Sequence, residues 1–252
     1  MCLILVAWQA HPDYPLVVAA NRDEFFARPT APAAFWQDAP QILAGRDLQA
    51  GGTWLGVNRQ GCFAALTNYR EGAQPHANAP SRGALVADFL AGETDAAAYL
   101  AALAAHGADY AGFNLFVGDG RRLGYYANRG KGPLWLAPGI YGLSNHLLDT
   151  PWPKLASAKT AFAKALTGLP TQTPFFDLLA DREIVPDAHL PETGVPLDWE
   201  RILSAVFVSS PAYGTRASTL LTIHREGQVT LTERSFGPDA TPLGAVQEGF
   251  QQ

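Results

Sequence analysis

The fold of this chain is read from its first 24 residues, MCLILVAWQAHPDYPLVVAANRDE. After Met1-Cys2 an apolar run spans Leu3 to Trp8. A short turn follows at His11-Pro12-Asp13, and a second apolar run, Leu16 to Ala20, ends in Asn21-Arg22-Asp23-Glu24. Two apolar runs separated by turn residues predict adjacent strands over residues 2–9 and 15–21. Their nearly unbroken apolar character predicts burial on both faces. Pairing them sets Cys2 opposite the Arg22/Asp23/Glu24 cluster at one sheet edge. With Met1 removed, Cys2 carries a thiol and a free α-amine beside a guanidinium and a carboxylate.

That pairing has a chemical meaning. Only the thiolate attacks, and an unperturbed thiol titrates near pH ~8.5. An α-amine titrates at about 7.7–8.0, so it can accept the thiol proton near neutrality. Arg22 favours the thiolate, and a carboxylate from Asp23 or Glu24 orients the amine and Arg22. In a regular strand Arg22 and Glu24 share one face and Asp23 takes the other. Acyl transfer also needs donors for an oxyanion, and Asn68 and Asn145 each follow an apolar strand. Taken singly these residues have plainer readings: a small apolar second residue, a surface ion-pair network and turn asparagines.

Working outward, residues 28–40 read as an ordered loop packed by Phe35 and Trp36. Residues 54–58 and 62–67 form a hairpin turned at Gly61, and residues 71–79 form a polar loop. Helices are predicted from Ser81 over residues 82–90, and from Thr94 or Asp95 to His106. Residues 113–118 and 122–127 pair around Asp119-Gly120, and short strands are expected at 134–136 and 140–143. A helix starts at the prolines of Asp149-Thr150-Pro151-Trp152-Pro153-Lys154, and a shorter one lies near 175–180. Residues 181–192 read as an acidic surface segment. Strands at 205–209, 218–224 and 229–235 precede a tail, 237–252, with little pattern. Hairpin-joined strands alternating with helices predict an α+β fold of two largely antiparallel sheets with helices outside.

Composition narrows the function. The 252 residues carry 16% charged side chains and a net charge of -5, with no basic stripe, which argues against nucleic acid. Two cysteines, Cys2 and Cys62, make no disulfide framework, and Cys62 reads as inert core. The N-terminal apolar run lacks a positive flank and a cleavage site, and no run approaches a membrane span. A soluble cytoplasmic protein is expected. The histidines show no metal spacing, and only His146, beside Asn145, attracts notice.

The motifs as a set resemble the NRDE family, also called the transport and Golgi organisation protein two family. They are Met1-Cys2, Asn21-Arg22-Asp23-Glu24, Gly51-Gly52-Thr53-Trp54-Leu55-Gly56-Val57, Thr67-Asn68-Tyr69-Arg70, Ser81-Arg82-Gly83 and Gly112-Phe113-Asn114-Leu115. Further on come Gly142-Leu143-Ser144-Asn145, Asp149 to Lys154, Tyr213-Gly214-Thr215-Arg216 and Glu233-Arg234-Ser235-Phe236. The resemblance runs to about residue 236 and implies one domain over residues 1–252. That family is in turn similar to N-terminal-nucleophile hydrolases of the choloylglycine hydrolase and penicillin V acylase kind, which implies a four-layer αββα sandwich. By position the resemblance makes Cys2 the nucleophile, Arg22 the first arginine, Asn68 and Asn145 the two asparagines, and Arg216 the late arginine. Those hydrolases place their aspartate a few residues after the arginine, whereas Asp23 is adjacent here, so Asp23 and Glu24 both stand as the site acid.

The expected function is hydrolysis of a small acyl-amide or acyl-thioester by Cys2, with no cofactor required. The family is also implicated in haem mobilisation and acyl-coenzyme A metabolism. The resemblance therefore leaves two other readings. One is a non-catalytic haem carrier using Cys2 or His146 with Trp36, Trp54, Tyr69 or Trp152. The other is an acyl-coenzyme A-binding pseudo-enzyme with Arg70 and Arg216 at the phosphates.

Overall fold

Leu3 to Trp8 and Leu16 to Ala20 are buried without a break, because the strands they form are covered on both faces. In the computed structural model, which describes residues 2–71 and 79–252, they are β1 (Cys2–Trp8) and β2 (Leu16–Phe25). They pair antiparallel with Cys2 opposite Arg22. Strand β2 runs past the expected end, so Asn21 to Glu24 keep strand alternation. The loss of Met1 and most of the loop expected over 71–79 concern residues outside those described.

The second sheet follows: β3 (Thr30–Phe35), β4 (Ile42–Asp47), β5 (Leu55–Asn58) and β6 (Phe63–Asn68). The hairpin of β5 and β6 turns at Gly61 with φ 77°. Next come helices α1 (Arg82–Ala91) and α2 (Ala96–His106), the latter capped by Asp95 accepting from the Ala98 N–H at 2.8 Å. Strands β7 (Phe113–Gly118), β8 (Leu123–Ala127), β9 (Leu134–Trp135) and β10 (Gly139–Leu143) lead into α3 (Pro153–Leu166), α4 (Thr173–Leu179) and α5 (Leu197–Leu203). The chain closes with β11 (Tyr213–Ile223), β12 (Gln228–Phe236) and β13 (Pro242–Gln251).

One sheet has the order β10-β1-β2-β11-β12-β13 and the other β3-β4-β5-β6-β7-β8-β9, and every pairing is antiparallel. Side-chain parity sorts the core into layers. Ile4, Val6, Val18 and Leu221 meet Val57, Phe63 and Phe116 between the sheets. Leu3, Leu5, Val17 and Ala19 turn the other way, onto the Leu155, Ala158, Phe162 and Leu166 stripe of α3 and onto α4. On the far side α1 and α2 cover Ala64, Leu66, Leu115 and Val117. The order is helix, sheet, sheet, helix: an α+β sandwich with Cys2 at one end of the inner seam.

Four segments depart from the sequence reading. Residues 30–35, expected as loop, are a strand. Pro32 is tolerated because β3 is a sheet edge with a register shift between Ala31 and Ala34. The apolar stretch at 205–209 is not a strand. It is buried by irregular bonds, Phe207 N–H to Asp181 O at 2.6 Å and Val208 N–H to Thr215 Oγ1 at 2.9 Å. The patternless tail holds β13, an edge strand whose residues are mostly exposed, so its sequence shows no alternation. Helix α5 lies between the acidic segment 181–192 and the apolar stretch 205–209, where the sequence reading placed no element; two of its seven residues, Glu200 and Leu203, are buried.

Candidate active site

A cavity of about 390 Å³ opens at the Cys2 end of the inner seam. Its wall joins sequence motifs that lie far apart. Helix α1 starts against the Gly51-Gly52-Thr53 turn, with the Thr53 N–H donating to Gly83 O at 3.2 Å. A Cβ on Gly52 would lie 2.4 Å from the Gly83 carbonyl carbon, so only glycine admits this approach. This contact joins the Gly51-Gly52-Thr53-Trp54 and Ser81-Arg82-Gly83 motifs.

Cys2 lines the cavity and is partly buried. Its main-chain nitrogen donates to Asn145 Oδ1 at 3.4 Å, and its carbonyl accepts from Ser144 Oγ at 3.2 Å. Asn145 is fully buried, and its amide nitrogen donates to Asn68 O at 2.8 Å. The Arg70 N–H donates to Asn145 O at 2.6 Å, which locks the ends of β6 and β10 together. A buried chain of hydrogen bonds anchors this junction. Tyr125 Oη donates to Asn114 Oδ1 at 2.7 Å, Asn114 Nδ2 to Thr67 Oγ1 at 3.1 Å, and Thr67 Oγ1 to Ser144 O at 2.6 Å. The Asn114 and Thr67 motifs thus act on Cys2 through Ser144.

Strand parity divides the Arg22-Asp23-Glu24 cluster as expected. Arg22 and Glu24 face the seam: the guanidinium lies 4.2 Å over the Trp54 ring, donates to Thr30 Oγ1 at 3.1 Å and lies 3.9 Å from Glu24 Oε2. Asp23 accepts from Thr215 Oγ1 at 2.7 Å, and its carbonyl accepts from Tyr213 Oη at 3.1 Å. Its carboxyl therefore belongs to the side turned toward α3. Desolvation raises the Asp23 pKa, against the pull of Lys154, Thr215 and Arg70. Desolvation likewise raises the Cys2 thiol, helped by Asp23 and opposed by the Asp23 N–H and by Arg22.

Sequence reading missed the charges behind Asp23. Lys154 is buried at the start of α3, donates to Leu203 O at 2.7 Å, and is pushed by desolvation down to about 8. Arg70 pairs with buried Glu200 at 2.6 Å beside Trp152. A lysine in a helical first turn looks like a solvated residue; only the Asp149 to Lys154 motif hinted otherwise.

The expected site residues are not all gathered. Cys2, Arg22, Asp23, Glu24 and Asn68 line the cavity, and Asn145 holds Cys2 from behind. The Asn68 side-chain amide bonds to no described residue. Arg216 is outside the cavity lining; it sits at the bulge of β11, where it donates to the carbonyls of Phe25 at 3.1 Å, Phe26 at 3.3 Å and Arg28. It braces the turn after β2. The four aromatics considered for haem do not form one slot, since Trp36 packs under α1 and α2 while Trp54 lies in the inner seam. His146 is flanked by Tyr69 at 5.0 Å and Trp152 at 5.9 Å, with Nδ1 on Thr150 Oγ1. The cavity lining mixes arginines and carboxylates with Trp54, Leu66 and Pro80. Among the described residues no cluster of His, Cys, Asp or Glu could hold a metal ion, and no helix is long and apolar enough to cross a membrane.

Residues 1–238 match the family model described as Transport and Golgi organisation 2. The chain belongs to that family. It is 42% identical to the Bos taurus transport and Golgi organization protein 2 homolog, over 100% of this chain and 99% of the relative. The Homo sapiens homolog is 40% identical over 94% of this chain and 93% of its own length. The Drosophila melanogaster protein is 29% identical over 94% and 92%. Among solved structures, the Caenorhabditis elegans ortholog of N-acylethanolamine-hydrolyzing acid amidase superposes with a TM-score of 0.50 at 11% identity, over 87% of this chain and 92% of that one. This family member therefore has the fold of N-terminal-nucleophile hydrolases.

Proposed function

We propose that this protein is an N-terminal-nucleophile hydrolase that cleaves a small acyl-amide or acyl-thioester with Cys2 after removal of Met1. The observation that carries the reading is the seat of Cys2: the residue lines the cavity while its nitrogen donates to buried Asn145. A free α-amine in that seat takes the thiol proton and is held within reach of the sulfur. Because burial raises the thiol pKa, attack depends on such a base. Arg22 supplies positive charge beside the developing thiolate, and the uncommitted amide of Asn68 is the available oxyanion donor. Asp23, backed by Lys154 and Arg70, steadies the charge balance beneath the strand. Arg216 shapes the turn and does not touch the reacting atoms. The fold likeness to an amidase supports the reaction class, and the amide or thioester remains to be chosen by substrate. Turnover of an acyl substrate by processed protein, absent in Cys2→Ala, tests the reading; full turnover in that variant overturns it.

Haem carriage by His146, packed between Tyr69 and Trp152, is the second reading. It predicts a Soret band on adding micromolar haem that is lost in His146→Ala.

A further inference from the structure

Three arginines line the Cys2 cavity, and only two have a carboxylate of their own. Arg28 forks onto Asp47, with Nε at 2.8 Å and Nη2 at 2.7 Å. Arg22 lies 3.9 Å from Glu24 and is stacked on Trp54. Arg82 makes no ion pair with any described residue. Among the described residues it donates one hydrogen bond, Nη1 to Gly112 O at 2.9 Å.

The two seam carboxylates are already engaged. Asp47 also accepts from the Gln49 and Ala50 N–H groups at 3.0 and 3.2 Å, and Glu24 accepts from the Phe25 N–H at 2.9 Å. The third lining acid, Asp23, is turned to Thr215 on the opposite face. Among the described residues of the cavity lining, Arg82 is therefore the arginine without a carboxylate of its own.

Resting on the hydrolase reading, we propose that Arg82 recognises an oxyanion, a carboxylate or a phosphate, carried by the substrate of Cys2. A guanidinium has about five N–H donors in a planar fork, and one bond to a main-chain carbonyl leaves most of them for a ligand. A charge withdrawn from water without a partner is costly until a counter-charge arrives. Desolvation lowers the pKa of half-buried Arg82, helped by Arg28 and opposed by Cys2, Glu24 and Glu71, and Glu71 is itself paired with Arg129 at 2.7 Å. The post is rigid. Arg82 is the first residue of α1, whose start is pinned by the Gly52–Gly83 approach and the Thr53 to Gly83 bond. The first turn of α1 contains no acidic residue and Ser81 makes no side-chain cap, so the helix end adds positive potential and no competing anion.

The test is calorimetric titration of the full-length chain carrying Cys2→Ala, with succinate, inorganic phosphate and neutral succinamide as probes. At least one anion binds, succinamide does not, and Arg82→Gln weakens the anion by ~10-fold or more, as expected for loss of hydrogen bonds to a charged group. Arg82→Lys, which keeps the charge and loses the fork, falls between. Whichever anion responds identifies the carboxylate or phosphate source. Equal affinity in Arg82→Gln and the parent, or no binding of either anion, overturns the proposal. If Arg82→Gln fails to fold by thermal melting, Arg82→Lys decides: an unchanged affinity contradicts the fork. Since Cys2 is absent here, failure of hydrolysis and failure of anion recognition are separate results.

Discussion

The main-chain nitrogen of Cys2 donates to Oδ1 of Asn145 at 3.4 Å, and the same amide reaches Asn68 O at 2.8 Å. One buried side chain thus ties the tip of β1 to the end of β6. Asn145→Ala leaves a part-buried N–H and a part-buried carbonyl without these partners, at a cost of about 1 kcal/mol each. The expected outcome is a lower urea midpoint and slower alkylation or acylation of Cys2. Asn145→Asp, which keeps the acceptor for the Cys2 nitrogen, retains more reactivity than Asn145→Ala. Equal reactivity of the two variants contradicts the assigned role.

The Cys2 thiol is raised above the usual range chiefly by desolvation. Alkylation follows the thiolate. In a chain that keeps Met1, the alkylation rate is expected to rise at higher pH than for an unperturbed thiol, which titrates at ~8.5. In a chain beginning at Cys2, the neighbouring amine moves the inflection to lower pH. Iodoacetamide kinetics from pH 6 to 10 on both forms check this, and superimposable profiles count against the amine as base.

Lys154 carries a stability signature. Its folded pKa is about 8 against an ordinary 10.5, so between these values the folded state binds fewer protons than the unfolded chain. Unfolding free energy then rises with pH across that window and is lost as pH falls through about 8. The shift corresponds to roughly 3 kcal/mol at most. Lys154→Met removes the group, so the stability of wild type relative to the variant is expected to grow from pH 7 to pH 10. Urea melts of both proteins at the two pH values measure it; parallel changes contradict it.

At Gly52 a methyl group would meet the main chain of Gly83. Gly52→Ala is expected to cost about 1–3 kcal/mol and to displace the start of α1, weakening anion binding at Arg82. Gly51, whose added Cβ meets nothing but whose φ is 78°, serves as the contrast: Gly51→Ala strains the turn and leaves the Gly83 contact in place. Thermal melts and the succinate or phosphate titration separate the two.

Those predictions rest partly on features legible in sequence. Strands β1 and β2 were readable because burial on both faces wrote an apolar run, and period two then assigned Arg22 and Asp23 to opposite faces. Strand β3 was not, since an edge with Pro32 and a register shift carries no period. Strand β13 was hidden because exposure removes alternation. The apolar run at 205–209 misled because burial alone does not distinguish a ladder from irregular bonding. In the site, residues on strand ends were visible beside their motifs. Lys154, Glu200 and Arg82 were not assigned roles, since their importance comes from partners brought together from distant elements. Arg216 was placed by resemblance, and at the bulge of β11 its guanidinium is taken up by the carbonyls of Phe25, Phe26 and Arg28.

The central claim is a covalent intermediate on Cys2, and the direct measurement is mass spectrometry of processed protein after brief exposure to an activated acyl ester. The account predicts one acyl group on the N-terminal peptide beginning at Cys2, discharged by water over time and absent in Cys2→Ala. No adduct at Cys2, or equal labelling of Cys62, would contradict it.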